Sequence, residues 1–269
     1  MIYERNERGL RRAIGYDVRG EGPALVFLHP FPFDRSFWAR ARAALPDFRT
    51  VAVDARGFGD SALGEPGYSI DELGEDVIAL CDHLGILMCT AIGCSMGGYV
   101  ALSLAARHPA RLSALVLVDT RADADGPEAR ANRQGASDEL RAHGPSGYLD
   151  GVGVRLCGKS ASADVREEVQ HLAVGSSRDF SRALPAMLIA LRDRPDRRAL
   201  LPTLRLPSLV VVGAEDAVTP PDEARQMMRA IPGAQLALID GAGHLPSIER
   251  RQAFDDTLGA FIRAALLTD

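Results

Sequence analysis

The sequence predicts an α/β protein with a mostly parallel central sheet that is covered by helices on both faces. The main observation is that short apolar runs alternate with segments of helical periodicity from Ala24 onward, which is typical of successive strand-helix-strand units. A second observation is that glycine-rich turns and polar residues follow directly after several of these runs. In addition, 269 residues with 46% hydrophobic content are enough for a large buried core.

The elements of this fold follow in chain order from the same alternation. The segment Ile14 to Val18 is less apolar than the others, and we expect it to pair antiparallel at the edge of the sheet. Buried strands are predicted at residues 24–28, 49–53, 87–92, 112–118, 208–212 and 236–239. Helices are predicted near residues 36–44, 69–84, 97–107 and 248–267.

Residues 120–202 interrupt the alternation of strands and helices. The strand signal disappears there, while charged residues, alanines and leucines recur at helical spacing between glycines and prolines. We therefore predict a helical cap, inserted after the strand that ends at Asp119, between two parts of a core at residues 1–119 and 203–269. A cap over the carboxyl ends of the strands would shield a site there from water and shape its pocket.

Composition and charge exclude several classes of function. A net charge of -5 without a basic patch argues against a nucleic-acid partner. The four cysteines, at positions 81, 89, 94 and 157, have no C-x-x-C spacing, so we expect buried free thiols rather than a metal or redox site, and no cofactor. Residues 1–20 are charged throughout and no apolar run is long enough for a membrane span. We therefore expect a soluble cytoplasmic protein without a membrane partner.

The motif that carries most information is Gly-Cys-Ser-Met-Gly at residues 93–97. It follows the apolar run 87–92 and precedes the helical pattern 99–107. In that context G-x-S-x-G predicts a nucleophile elbow, which lifts Ser95 onto a sharp turn above the sheet. We expect the two glycines to be required sterically and the serine backbone to be strained.

A serine nucleophile needs a base and an orienting acid, in the chain order serine, acid, histidine. Asp216 follows the apolar run 208–212, and His244 follows the run 236–239. Both therefore stand at the carboxyl ends of predicted strands, where open α/β sheets place their chemistry. Asp119 also ends a strand and is the rival acid. Asp216 has the better local pattern, with glycine three residues before it and proline four after it.

With these motifs the chain resembles the α/β-hydrolase superfamily, and the resemblance covers nearly all of it. The matching segments are His29-Pro30-Phe31-Pro32, Asp54 to Ser61, the elbow, Gly213 to Asp216, and Gly243-His244-Leu245-Pro246. The resemblance implies an α/β-hydrolase fold with Ser95 as the nucleophile, Asp216 as the acid and His244 as the base. Within that superfamily the chain resembles small cofactor-free esterases, 3-oxoadipate enol-lactonases and non-haem haloperoxidases.

The resemblance also implies an oxyanion hole made of two backbone N–H groups. One belongs to the residue after the nucleophile, which is Met96, and the other comes from the loop after the third strand. Pro30 and Pro32 have no N–H, so Phe31 between them is the candidate for the second donor. We expect His29 to pack behind this loop rather than to act as a second base.

The leading functional hypothesis is a serine hydrolase that cleaves a small carboxylic ester or lactone through an acyl-enzyme on Ser95. An enol-lactonase would need an arginine to hold a substrate carboxylate, and the candidates in the cap are Arg121, Arg130 and Arg133. Two alternatives remain. Pro32 suggests perhydrolysis, in which hydrogen peroxide replaces water, and a catalytically silent fold of this class could serve as a small-molecule receptor.

Overall fold

A computed structural model describes residues 1–7, 10–64, 67–176 and 179–267 and places an eight-stranded sheet at the centre of the molecule. The strands are β1 Ile2–Glu7, β2 Leu10–Arg19, β3 Ala24–Leu28, β4 Arg49–Val53, β5 Cys89–Cys94, β6 Leu112–Val118, β7 Ser208–Gly213 and β8 Gln235–Ile239. Their order is β1-β2-β4-β3-β5-β6-β7-β8. Pairing is antiparallel from β1 through β2 to β4 and parallel between all other neighbours. The predicted fold class, a mostly parallel α/β sheet, is confirmed.

The amino-terminal edge of the sheet differs from the sequence-based prediction. Ile14 to Val18 was expected at the edge, but it lies within β2, which pairs with β4 on one side and β1 on the other. The antiparallel pairing itself is as predicted. Strand β1 was not predicted, because its sequence, Ile-Tyr-Glu-Arg-Asn-Glu, contains no apolar run. It is specified by a continuous antiparallel register with β2, from Ile2 opposite Gly15 to Glu7 opposite Leu10.

Strand β5 also begins later than the apolar run suggested. Leu87 and Met88 are 81% and 53% exposed, because pairing with β6 starts only at Cys89. The strand then continues through Cys94, and all of its residues are buried. Burial on both faces explains the nearly continuous apolar character of β5 and β6. The strand therefore ends directly before Ser95.

The predicted core helices at 69–84 and 97–107 are present as α2 Ile70–His83 and α3 Met96–Arg107, with ends shifted by one residue at most. The segment predicted at 36–44 is a 3₁₀ helix, Arg35–Trp38, followed by α1 Ala39–Ala43, and the one predicted at 248–267 is divided into α10 Pro246–Glu249 and α11 Arg251–Leu266. The core also contains α9 Pro221–Ala230, which was not predicted separately. Helix α3 packs against α2 and against strands β3, β5 and β6, while α1 contacts α11. Trp38 lies between Phe27 and Phe254, with ring centroids 5.4 and 6.0 Å away, and joins the sheet to α11.

Residues 120–202, here called the helical segment, hold five helices and most of a 3₁₀ helix at Arg198–Thr203 in their described part, with no strand. The helices are α4 Pro127–His143, α5 Ser146–Leu149, α6 Val152–Leu156, α7 Ala163–Gly175 and α8 Phe180–Arg192. The segment touches the core at several loops. Gly59 N–H donates to the Ser176 carbonyl over 2.7 Å, and the ring of Tyr148 meets that of Phe31 edge-on at 6.1 Å. None of the described helices is both long and apolar enough to span a bilayer.

Candidate active site

Ser95 occupies a sharp turn between β5 and α3. Its φ of 50° and ψ of -112° are backbone angles that residues other than glycine rarely adopt. Such backbone strain persists only where the surrounding structure imposes it. The Ser95 N–H donates to the Val118 carbonyl over 2.9 Å. The Thr120 hydroxyl donates to the Ser95 carbonyl over 2.8 Å. Both bonds tie the turn to β6 and its end, so the predicted strain of the serine backbone is confirmed.

The glycines on either side of Ser95 allow two backbones to approach closely. A Cβ on Gly93 would lie 2.1 Å from the Gly97 carbonyl oxygen, and one on Gly97 would lie 2.1 Å from the Leu28 carbonyl oxygen. Neither position therefore accepts a side chain without a shift of backbone. The close approach to Leu28 also brings the start of α3 beside the loop that follows β3.

His244 and Asp216 form a buried pair next to this turn. The Nδ1 atom of His244 lies 2.9 Å from Oδ2 of Asp216, and the two residues are 2% and 4% exposed. Because an ionised carboxylate only accepts hydrogen bonds, Nδ1 carries the proton and Nε2 is left as an acceptor. The Cys94 thiol lies 3.9 Å from the His244 carbonyl oxygen, which places the histidine beside the elbow.

The loop after β7 surrounds the Asp216 carboxylate with donors. Oδ1 accepts hydrogen bonds from the N–H groups of Val218 at 2.8 Å and Thr219 at 3.1 Å. Oδ2 accepts one from the Thr219 hydroxyl at 2.6 Å. Burial acts to raise the pKa of Asp216, but the bonds from His244 and Thr219 outweigh it and hold the pKa below its usual value. Asp216 is therefore ionised at neutral pH.

Asp119, the rival acid, lies in the same cluster without a hydrogen bond to His244. It is 1% exposed, and one of its carboxyl oxygens lies within 4.8 Å of ligand atoms of both Asp216 and His244. Oδ1 accepts a bond from Gly213 N–H over 2.9 Å, whereas Oδ2 is buried without a partner. Burial, and after it the charge of Asp216, raise the pKa of Asp119 well above its usual value. The geometry thus joins Asp216, and not Asp119, to the histidine.

These three residues are also the one group in the described part of the chain with enough close ligand atoms to share a metal ion. The Nδ1 atom of His244 is already hydrogen-bonded to Asp216, and that bond would have to break for a metal to take its place. The donors around Asp216 suit a carboxylate that orients an imidazole better than one that binds a cation.

The two backbone N–H groups of the candidate oxyanion hole belong to Phe31 and Met96. Neither Phe31 nor Met96 donates its N–H to another of the described residues, and Met96 opens α3, where helix N–H groups lack partners and favour negative charge. His29 supports the loop: Nδ1 donates to the Pro30 carbonyl over 2.9 Å, and Nε2 accepts from Ala55 N–H over 2.9 Å. Burial lowers the pKa of His29, in keeping with a neutral structural residue.

The three arginines considered for a substrate carboxylate are all engaged by the protein. Arg130 pairs with Asp193 at 2.7 Å and Arg133 with Asp125 at 2.5 Å. Arg121 donates to the Val218 carbonyl over 3.2 Å and lies 3.8 Å from a carboxylate oxygen of the helical segment and 4.0 Å from one of α9. A substrate carboxylate would have to compete with these contacts.

Sequence reasoning missed three residues that shape this site. Thr219, which bonds Asp216, stands only three residues after it, a spacing at which Asp and Thr side chains often cap a loop. Glu249 bonds the N–H groups of the residues on both sides of His244. Tyr148 packs against Phe31. The partners of Thr219 are local and could have been foreseen, whereas the contact of Tyr148 depends on the fold of the helical segment.

Comparison with known proteins places the chain among hydrolases. A model described as the alpha/beta hydrolase family matches residues 25–257. The 3-oxoadipate enol-lactonase 2 of Acinetobacter baylyi is 30% identical over 261 residues, which are 93% of this chain and 93% of that protein. A thermophilic esterase from Thermogutta terrifontis, with malate bound, has a TM-score of 0.92 at 33% identity and covers 99% of each chain. The enol-lactonase from Burkholderia xenovorans LB400 has a TM-score of 0.83 at 29% identity, over 93% of this chain and 96% of that one.

Proposed function

The chain belongs to the alpha/beta hydrolase family, and on that premise we propose that it is a serine hydrolase acting on a small carboxylic ester or lactone. The observation that carries the proposal is the hydrogen-bonded pair His244–Asp216 at 2.9 Å, beside a strained serine at the start of a helix. This is the arrangement that activates a serine hydroxyl for attack on a carbonyl.

The proposed mechanism assigns one role to each group. His244 Nε2 takes the proton of Ser95 as its hydroxyl attacks the carbonyl carbon, and Asp216 stabilises the imidazolium that forms. The N–H groups of Phe31 and Met96 bind the oxyanion of the tetrahedral intermediate. When this intermediate collapses, His244 gives the proton to the leaving alcohol. Water, activated by the same histidine, then hydrolyses the acyl-enzyme and restores Ser95.

We further propose that the helical segment acts as a cap over this chemistry. The contact of Tyr148 with Phe31 at 6.1 Å supports this role, because it brings an aromatic side chain of the segment to the candidate oxyanion loop. Burial raises the pKa of Tyr148, so its hydroxyl stays protonated. A cap of this kind excludes stray water and forms one wall of the substrate pocket.

The ion pairs of the helical segment favour an uncharged ester over a carboxylate-bearing lactone. Two of the relatives are named as enol-lactonases and one as an esterase with malate bound. The relatives are therefore compatible with either substrate class, an ester or a lactone. The three arginines that could hold a substrate carboxylate, Arg121, Arg130 and Arg133, are each committed to other groups. A substrate carboxylate would compete with these groups for the same guanidinium donors.

The test is a panel of p-nitrophenyl esters of graded chain length, together with several lactones, run on the wild type and on Ser95→Ala. We expect Ser95→Ala to lower turnover by a factor on the order of 10⁶, as loss of a triad nucleophile does. Ser103→Ala is the matched control. It removes a buried hydroxyl from α3, the helix that follows Ser95, and this hydroxyl donates to Asp71. A Ser95→Ala protein with a tenth of wild-type turnover would exclude the mechanism, and a wild type inert on the whole panel would favour a receptor.

Pro32 supports a second candidate function, which is perhydrolysis of a short carboxylic acid. The proline follows Phe31 directly, fixes its own φ and has no N–H, which can shift the neighbouring carbonyl toward the nucleophile that attacks the acyl-enzyme. Hydrogen peroxide would then replace water and release a peracid. We expect bromination of monochlorodimedone in acetate with bromide and peroxide, at a rate above that of Ser95→Ala. Equal rates would reduce Pro32 to a rigid loop residue.

A further inference from the structure

A short stretch of the helical segment lies directly on the loop that carries His244. This stretch, Leu156 to Ser160, is here called the strap. The His244 N–H donates to the Leu156 carbonyl over 2.8 Å, so the strap bonds the backbone of the candidate base itself. The two backbones are also in close contact, because a Cβ on Gly243 would lie 2.1 Å from the Gly158 nitrogen. Neither can move far without the other.

One buried carboxylate joins the strap to both sides of the histidine. Glu249, which is 5% exposed, accepts a hydrogen bond from Gly243 N–H at 2.9 Å and one from Leu245 N–H at 3.0 Å. Its Oε2 atom also accepts from Gly158 N–H in the strap, at 2.7 Å. Three donors from two distant parts of the chain therefore converge on a single side chain.

We propose that Glu249 is a positioning residue for the reaction, which holds the His244 backbone through both flanking N–H groups and fastens it to the strap. The inference rests on the proposed function, in which His244 is the base. Glu249 acts through His244 and touches no reacting atom. Its effect is to keep the imidazole in line with Ser95 and Asp216, because a displacement of about 1 Å in such a site can cost on the order of 10²-fold in rate.

The chemistry of the three bonds requires a carboxylate. Both oxygens of an ionised Glu accept hydrogen bonds, and all three partners of Glu249 are N–H donors. A Gln of nearly the same shape offers one acceptor oxygen and one NH₂ group. The NH₂ group would face at least one of the backbone donors, so at least one bond would be lost. Glu249→Gln therefore disturbs the loop while leaving the volume of the side chain almost unchanged.

Glu215 provides a matched control on the same strap. Its carboxylate accepts from the Ser160 N–H at 2.8 Å and from the Ser160 hydroxyl at 2.5 Å. Its side chain makes no hydrogen bond to the described residues on either side of His244. Glu215→Gln thus alters a carboxylate that holds the strap but does not hold the base, and we expect turnover close to that of the wild type.

The experiment compares wild type, Glu249→Gln, Glu249→Asp and Glu215→Gln on one ester from the panel, well below each melting temperature. We expect Glu249→Gln to lower kcat between about 10-fold and 100-fold with KM within about threefold. Glu249→Asp keeps the charge but is one methylene shorter, so we expect a smaller loss. The second readout is the downfield proton resonance of the His244 Nδ1–H, which should weaken or shift in Glu249→Gln and persist in Glu215→Gln.

Wild-type kcat together with an unchanged His244 resonance in folded Glu249→Gln would overturn the proposal. If that variant does not fold, the same result in Glu249→Asp would overturn it. A loss of kcat that merely follows the folded fraction, with the resonance intact, would also do so. Failure of the proposed function is distinguishable: wild type and Ser95→Ala would then be equally inert on the panel, while the resonance still reports whether Glu249 positions His244.

Discussion

Asp119 and Asp216 lie just past the ends of the neighbouring strands β6 and β7 and are both buried, yet their pKa values shift in opposite directions. Asp216 accepts hydrogen bonds from His244, Val218 and Thr219. Asp119 accepts one, from Gly213 N–H, and its second oxygen has none. Burial acts to raise the pKa of both, and only the donors around Asp216 outweigh it. The donors and the histidine around Asp216 lower its pKa, and the negative charge of Asp216 adds to burial in raising the pKa of Asp119.

The opposite pKa shifts of Asp119 and Asp216 favour a single negative charge in the cluster. Two ionised carboxylates this close would repel each other, and the protein supplies several donors to Asp216 but a single one to Asp119. Two other titratable groups lie near Asp119. The charge of Glu249 also raises the pKa of Asp119, and the thiol of Cys94 is neutral. One anion beside His244 is what stabilising a transient imidazolium requires.

Replacing Asp216, the ionised carboxylate, should have the largest effect on activity. We expect Asp216→Asn to lower turnover by about 10⁴, because an amide stabilises the wrong histidine tautomer. The measurement is kcat for Asp216→Asn and Asp119→Asn on the same ester. If Asp119→Asn proved the more damaging, the assignment of the acid would be reversed.

Removing a single donor from Asp216 should have an intermediate effect. Thr219→Val keeps the shape of the side chain but loses the 2.6 Å hydrogen bond to Oδ2. A hydrogen bond to a charged group contributes about 1.5 kcal/mol, so we expect kcat/KM to fall about tenfold. Thr219→Ser retains the hydroxyl and is the control. Equal activity of the Val and Ser variants would show that this donor does not matter.

Replacing Asp119 should have the smallest effect on activity and the largest effect on the pH dependence of stability. Asn at position 119 tolerates the observed φ of 42° and keeps an acceptor for Gly213, so we expect a loss of less than about tenfold, far below the 10⁴ of Asp216→Asn. Because folding raises the pKa of Asp119 above its ordinary 3.8, its contribution to stability is full below that pH. It is lost as pH rises through the folded pKa.

The variant carries no such titration, so the melting temperature of Asp119→Asn minus that of the wild type should increase as pH rises above about 4. Thermal unfolding of both proteins at several pH values from about 4 upward measures this quantity. A value that stays constant or falls as pH rises would contradict a protonated Asp119.

The parts of this molecule that could be predicted from its sequence are those specified by neighbouring residues. The steric role of Gly93 and Gly97 follows from a pentapeptide between a strand and a helix, and each close contact is present. The bond from Gly158 to Glu249 joins residues 91 positions apart, and no local pattern specifies such a pair. The charge states of Asp119 and Asp216 likewise depend on donors that only the folded loops bring together.

The position of β1 has a consequence for strand pairing between molecules. This strand lies at the end of the strand order and pairs only with β2 in the described sheet, so its outer row of backbone donors and acceptors has no strand partner there. Such an edge is a template for pairing with another molecule unless charged residues discourage it. Glu4, the described charged residue of this strand, is exposed. A charged side chain on an edge strand disfavours the addition of a strand from another molecule.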